Sequence, residues 1–279
     1  MKTAIQRCFS RASSQYDNHS FFQKKVADQL MEFLREGFIP LSHPSSSTRE
    51  EVKSKDCSTF ILDVGCGTGY SSLALSHLFP DSKILGLDLS FPQCQQASDK
   101  YPVISADFDH LPFRKASIDV IFSSLSLQWS LNFHETAKHF AQVLAPGGLL
   151  VFSTLGAGTL HELTQAKKLS STKTLPENLL SHPFLPLSET LAALKSASFT
   201  VMSKKRQSEV FWFQHPLAVL KSLKAVGANY LSSANIGLST KKSLETLIAN
   251  YQVDPITNQY PMTYEVDYLI AKKELHNHA

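Results

Sequence analysis

The stretch with the most chemistry in it is Phe60–Tyr70, FILDVGCGTGY, an apolar run that ends on Asp63 and then places Gly65, Gly67 and Gly69 at every second position, with Cys66 between the first two. An apolar run of that length reads as a buried parallel strand, and alternate glycines let the chain turn tightly and bring backbone N–H groups against a ligand. From Thr68 onward, Leu73, Leu75, Leu78 and Phe79 recur at roughly helical spacing. The loop therefore opens onto a helix N-terminus, where backbone donors gather. Three further polar positions fall at the ends of apolar runs: Asp88 in KILGLDLS, Asp107 in VISAD, and Ser124 in IDVIFSS. Asp88 stands about 20 residues beyond the glycine loop, where a carboxylate meets ribose hydroxyls in folds of this kind. It suits equally well an N-cap for a helix starting near Pro92. Asp107 followed by Phe108 offers an acceptor for an adenine amino group and an aromatic face for its ring. Taken together, the loop and the acids point to a bound nucleoside. The loop reads GxGxG, with Tyr70 where a dinucleotide fingerprint would carry its last glycine, and no second site for a nicotinamide is evident.

These residues need elements to hold them at one edge, and the pattern supplies them. Strands are predicted at Phe60–Asp63, Lys83–Ser90, Val103–Asp107, Ile118–Ser124 and Gly148–Leu155, with helices between them, such as Phe133–Leu144 stopped by Pro146-Gly147-Gly148. Alternating strands and helices give a doubly wound parallel sheet of the α/β class, whose ligands bind beyond the carboxyl ends of the strands. Ahead of this core, residues 4–18 are polar with Phe9 and Tyr16 among them. His19–Phe38 reads as an amphipathic helix carrying Phe22, Val26, Leu30, Phe33 and Leu34. Residues 1–39 are thus expected to form an N-terminal helical cap, 40–58 a mobile Ser/Pro-rich linker, and 59–279 the core.

Composition sets outer bounds. At 279 residues and 43% hydrophobic content, one generous α/β domain can bury an ample core, and two small domains remain open. A net charge of +3 is too mild to indicate nucleic acid. Cys8, Cys57, Cys66 and Cys94 form neither a CxxC pair nor a zinc-spaced cluster, which suits a reduced cytoplasmic protein without a metal. The start, MKTAIQRCFSRASSQYD, lacks an apolar core, and no run of about 18 apolar residues occurs, so neither export nor a membrane span is expected.

The succession DVGCGTG, LDLS, ADFDHLPF, IDVIFSS and LAPGGLLVFST resembles the class I S-adenosylmethionine-dependent methyltransferases over roughly Phe60–Leu155. The resemblance implies S-adenosyl-L-methionine as cofactor. It puts Asp63, Gly65, Gly67 and Gly69 under the methionine part, Asp88 with Leu89 at the ribose, and Asp107 with Phe108 at adenine, Cys66 and Ser124 completing the set. A narrower resemblance runs through the flanks: IQRCFSRASSQYD, SSLSLQW (Ser123–Trp129), FSTLGAGTLHEL (Phe152–Leu163), SLKAVGANYL (Ser222–Leu231) and YPMTYEV (Tyr260–Val266) look like the malonyl-acyl-carrier-protein O-methyltransferase family of biotin synthesis, BioC. That likeness implies methylation of the free carboxylate of a malonyl thioester. It also implies a Rossmann-like sheet of seven strands whose last two, near Phe199–Val210 and Thr263–Lys272, are separated by a helical insertion at 215–251.

Such a transfer is an in-line displacement that requires oxygen and methyl held at about 3–3.5 Å. A carboxylate with a pKa on the order of 4 is already ionised at neutral pH, so no general base is needed. A lid including Ser10–Asp17 is expected, with Tyr16 over the cofactor, and a substrate wall of Gln128, Trp129, Tyr260 and Tyr264; Trp129 reads equally as a core aromatic. The carrier protein implied by the family is acidic. Between His161 and Ala225 nine basic residues face four glutamates, and Lys221 and Lys224 in the family-like segment are the docking candidates, while Lys204-Lys205-Arg206 also suits a plain solvated face. A related enzyme methylating a small molecule such as a quinone precursor is the alternative.

Overall fold

The computed structural model describes residues 2–37, 58–170, 184–226 and 241–275. The expected linker, except for its last residue, lies outside them, as do Lys173 and residues 227–231 of the family-like segment. Seven strands form one sheet in the order β3-β2-β1-β4-β5-β7-β6. They are β1 Phe60–Val64, β2 Lys83–Asp88, β3 Val103–Ser105, β4 Ile118–Ser124, β5 Leu144–Leu155, β6 Phe199–Phe213 and β7 Tyr260–Lys273. The first five run parallel, and β7 enters antiparallel between β5 and β6. The sheet is therefore mixed, where the first five strands alone suggested a parallel one. The long β6–β7 ribbon closes one edge.

Alternation of apolar strands with amphipathic helices drives this arrangement. Ile61, Leu62, Ile121, Phe122, Leu150, Val151 and Phe152 are buried on both faces, as central parallel strands must be. The helices α3 Tyr70–Leu78, α4 Phe91–Ser98 and α5 Phe133–Val143 supply the connections, followed by α6 His161–Leu169 and α7 Leu187–Ser196. The insertion before β7 contains α8 Pro216–Ala225 and α9 Lys241–Ala249. Several strand ends differ from the sequence reading, two of them for a visible reason. β5 starts at Leu144, because that residue pairs with Ile118 ahead of the Pro-Gly-Gly turn. β3 stops at Ser105, where the chain turns away so that Asp107 caps a short turn by accepting from the Asp109 N–H at 3.0 Å.

Ahead of the sheet, α1 Lys2–His19 and α2 Phe21–Gly37 fold over it. Val26, Leu30 and Leu34 of α2 are buried in the common core. Phe22 stacks on Tyr264 of β7 at 4.2 Å between ring centres and meets Phe211 of β6 edge-on at 5.5 Å. Alongside, the Tyr268 hydroxyl donates to Gln29 Oε1 at 2.6 Å, and Lys25 pairs with Glu209 at 2.7 Å. α1 rests on α4 and α8. In β6, Arg206 forms a two-pronged pair with the buried Asp267 at 2.6 and 2.7 Å, so of the Lys204-Lys205-Arg206 run its last member serves the ribbon itself.

Phe22→Ala should lower the denaturant midpoint by an amount equivalent to about 3 kcal/mol, the usual loss for a buried aromatic truncated to a methyl. A wild-type midpoint would show that the stack with Tyr264 does not hold the cap.

Candidate functional site

The glycine loop is shaped by its neighbours on both sides. Gly65 and Cys66 both donate their N–H to the Leu87 carbonyl at the tip of β2, at 2.7 and 3.1 Å. Gly67 donates to Asp88 Oδ2 at 3.0 Å, while Asp88 Oδ1 accepts from the Ser90 N–H at 2.8 Å. Asp88 thus ties the loop to the start of α4, where Ser90 rather than Asp88 occupies the N-cap position. Gly65 has φ +72°, and a Cβ there would lie 1.9 Å from Ser126 Oγ, so glycine is required on both counts. One strand over, Gly86 leaves room for Cys66: a Cβ on it would approach the Cys66 sulfur to 2.8 Å.

Around this loop the structure brings most of the sequence-derived residues together. A cleft is walled by Tyr16, Gly65, Gly67, Asp88, Leu89, Phe108, Ser124 and Trp129. A second cavity shares Tyr16, Gly65, Gly67 and Ser124 with the first and continues past Tyr16 to Ser20, Gln23, Lys24, Cys66 and Thr68. The two are the ends of one trough with Tyr16 at its waist. Gly69 opens α3, whose Ser71 and Ser72 both donate to Asp63 Oδ2 at 2.6 Å.

α1 lies along the trough as a roof. Gln6 donates to the Leu89 carbonyl at 2.8 Å, Ser10 meets Ser90 at 3.0 Å, and Thr68 donates to Asp17 at 2.7 Å. Phe9 packs edge-on against Trp129 at 5.5 Å. Lys2 is placed where sequence reasoning had nothing: its Nζ lies 3.9 Å above the Phe108 ring and 2.9 Å from both Asp107 and Asp109. Asp107 and Phe108, expected to be open to an adenine, are here covered by that lysine. Lys2, Gln6, Phe9 and Gln93 escaped the sequence reading because they are single polar or aromatic residues on amphipathic helices, and only their convergence on Asp88 and Phe108 marks them.

The remaining candidates lie farther out. Gln128, in the turn Leu127–Trp129, lines a neighbouring cavity of about 310 Å³ beyond the carboxyl ends of β4 and β5, lined also by Leu131, His134, Thr154 and Thr190. Tyr264 is buried under Phe22, and Tyr260 packs against Tyr251 and His215. Lys221 and Lys224 are exposed on α8 and line none of these cavities. No group of three His, Cys, Asp or Glu with metal-holding geometry occurs among the described residues, and among them no helix is long and apolar enough to cross a membrane.

Electrostatically the trough is acidic and dry. Burial pushes the Asp63 carboxyl up to about 6, against the opposing hydrogen bonds from Ser71 and Ser72. Burial raises Asp88 as well, opposed by the N–H groups of Ser90, Gly67 and Leu89. Burial, then the nearby Asp88 and Asp17, pushes the Tyr16 hydroxyl up, so it stays protonated and acts as a hydrogen-bonding group rather than a base. The Cys66 thiol is pushed up by burial and by Asp63 and Asp88, which leaves it unreactive. Asp109 is the exception. Although burial opposes it, hydrogen bonds from Thr136 and Lys2 hold its carboxyl below the ordinary value.

Residues 62–152 match the family described as a methyltransferase domain. Over 278 residues the chain is 31% identical to a malonyl-[acyl-carrier protein] O-methyltransferase of Herminiimonas arsenicoxydans, covering 98% of this chain and 96% of the relative. It is 27% identical, again over 278 residues, to the protein of the same description in Marinomonas sp. (strain MWYL1), with 98% and 94% covered. The fold matches the crystal structure of the YcgJ protein of Bacillus subtilis at a TM-score of 0.54, with 14% identity over 78% of this chain and 92% of that one.

Asp63 is raised in the folded state, so the folded protein binds more protons than the unfolded chain between about pH 4 and 6, and stability falls across that window as pH rises. Asp63→Asn removes the titration while keeping an acceptor for Ser71 and Ser72. Its stability relative to the wild type should climb from pH 4 to pH 6 by on the order of 2–3 kcal/mol and stay level above. A difference independent of pH across chemical denaturation curves would show that Asp63 is not titrating there.

Proposed function

The chain belongs to the malonyl-[acyl-carrier protein] O-methyltransferase family, and from that membership we propose that it transfers a methyl group from S-adenosyl-L-methionine to the free carboxylate of a malonyl thioester carried on an acidic acyl carrier protein, a step of biotin synthesis. The observation that carries the reading is the two-ended trough over the glycine loop, with the buried Asp63 and the half-buried Asp88 at the tips of two neighbouring strands and a tyrosine at the waist.

The residues present fit the cofactor. Asp88 has lone pairs beyond those taken by Gly67 and Ser90, so it accepts from ribose hydroxyls at the cleft floor. Leu89, Ile5 and Phe108 give apolar cover at the nucleoside end. Once Lys2 swings off Asp107, that carboxylate is free for the adenine amino group. Bound there, S-adenosyl-L-methionine supplies an electrophilic methyl on a sulfonium. The uncompensated acids Asp63 and Asp88 favour a cationic occupant.

The chain's own work is positioning and drying. Phe9 and Trp129 close the roof over the cleft and exclude water. Tyr16, protonated at any physiological pH, donates to one substrate oxygen and leaves the other to attack. No side chain has to remove a proton, because the substrate carboxylate is already ionised. The thioester arm enters through the cavity beside Gln128, whose walls of Leu131, Phe152, Thr154 and Thr190 suit a chain with amide groups. Lys221 and Lys224 steer the acidic carrier to α8.

Two measurements test this reading. With labelled S-adenosylmethionine, malonyl-carrier protein, malonyl-coenzyme A and a quinol offered in parallel, alkali-labile methyl ester should appear on the malonyl-carrier protein. Label on the quinol alone would make the enzyme a small-molecule methyltransferase. Lys221→Glu with Lys224→Glu should raise KM for the carrier substrate about tenfold at 0.1 M salt, and less at high salt, where charges are screened within about 3 Å at 1 M. An unchanged KM at both salt concentrations would move the docking surface off α8.

A further inference from the structure

We propose that Gln23 and Ser20 of the N-terminal cap bind the primary ammonium of the amino-acid tail of S-adenosylmethionine, a reading that rests on the function proposed above. Ser20 is fully buried, and neither its Oγ nor Gln23 Oε1 has a hydrogen-bond partner among the described residues. Native proteins leave few buried polar atoms unpaired, and each one asks for a ligand, a water or an ion. Here both line the same cavity, across from Gly65, Cys66, Gly67 and Thr68. Close by in sequence to that loop, Asp63 Oδ1 is buried and unpartnered as well.

The chemistry of the orphan atoms selects the ligand. An amide carbonyl only accepts and a hydroxyl can accept, so their complement is a compact donor with several N–H groups, which an ammonium is. The described residues do not supply it. Among them, Lys24 is the one basic side chain lining this cavity, and its Nζ is turned to Asp17, 3.0 Å from the carbonyl and 3.8 Å from the carboxylate. Position agrees with chemistry. Tyr16, Gly65, Gly67 and Ser124 wall both ends of the trough, so a ligand with its nucleoside against Asp88 places its other end beside Ser20 and Gln23. Neither residue belongs to the glycine loop or the strand tips; they come from α2 and the break before it, which makes the cap part of the binding site.

Two nucleosides that differ in the tail test the assignment on the full chain by calorimetry. S-adenosylhomocysteine carries the ammonium, and 5′-deoxy-5′-methylthioadenosine lacks the whole amino-acid group. Gln23→Leu should weaken S-adenosylhomocysteine roughly ten- to hundredfold and leave methylthioadenosine within about twofold, since a hydrogen bond to a charged group is lost only for the former. Ser20→Ala should do the same to a smaller extent, and Gln23→Glu, which keeps an acceptor, should restore affinity for S-adenosylhomocysteine. Unchanged S-adenosylhomocysteine affinity in Gln23→Leu, or equal losses for both ligands, overturns the assignment while the cofactor reading stands. Wild-type protein that takes up neither nucleoside overturns the cofactor reading itself, and this assignment with it.

Discussion

Two carboxylates are held at the tips of adjacent strands in a place too dry for them, and the rest of the site is arranged around that fact. Asp63 is fully buried and Asp88 sits at the floor of the cleft, and neither makes a salt bridge with a described basic residue. An unpaired buried charge is tolerated only if hydrogen bonds replace water. Ser71 and Ser72 do this for Asp63, and the N–H groups of Gly67 and Ser90 for Asp88. Those same bonds fix the start of α3, the glycine loop and the start of α4. Solvating the acids and shaping the loop are therefore one act. What the hydrogen bonds leave is a trough with excess negative potential, which a cation satisfies better than a neutral ligand of equal size.

The cap is held by two kinds of contact of unequal strength. α2 is anchored by aromatic stacking and by apolar residues buried in the common core, contacts that together amount to several kcal/mol. Over the trough, α1 is tied mainly by polar bonds from Gln6, Ser10 and Asp17, each worth about 1 kcal/mol net. Ile5 and Cys8 add a small buried apolar face. Lifting α1 to admit a ligand is accordingly much cheaper than dislodging α2. The Lys2 contacts with Asp107, Asp109 and Phe108 belong to the same roof, so whatever enters the nucleoside end must displace them.

The sequence made the core legible because its signals are local. Apolar runs, alternate glycines and acids at run ends fix β1, β2 and β4 and put Asp63, Asp88 and Ser124 at one edge without any knowledge of partners. The roof was less legible for a physical reason. Lys2, Gln6, Phe9 and Gln93 gain meaning only from what lies opposite them, and nothing in a helical period distinguishes a residue facing a trough from one facing solvent. Arg206 illustrates the same limit in reverse: in sequence it sits in a basic run, while in the fold it neutralises Asp267 across the β6–β7 ribbon. Tyr264, read as part of a substrate wall, has a second role that the sequence did not announce: its ring is a bearing surface for Phe22.

The scarcity of acid–base groups at the trough's waist follows from the reaction. Enzymes that must remove a proton keep a histidine or carboxylate tuned near neutrality beside the substrate. Here the waist carries Tyr16, whose hydroxyl is held protonated by burial, with Ser124 and Trp129 near it. When a carboxylate meets a sulfonium, opposite charges cancel as the bond forms, so added charge at the waist would stabilise the separated ions more than the transition state. Neutral donors and aromatic walls hold both partners without that penalty. The acids at the strand tips grip the loop and attract the cation, and Asp88 together with Asp17 helps keep the Tyr16 hydroxyl protonated. That setting of neutral donors and aromatic walls is what a shared α/β scaffold does not by itself dictate, and it is built here by the cap and by the turn after β4.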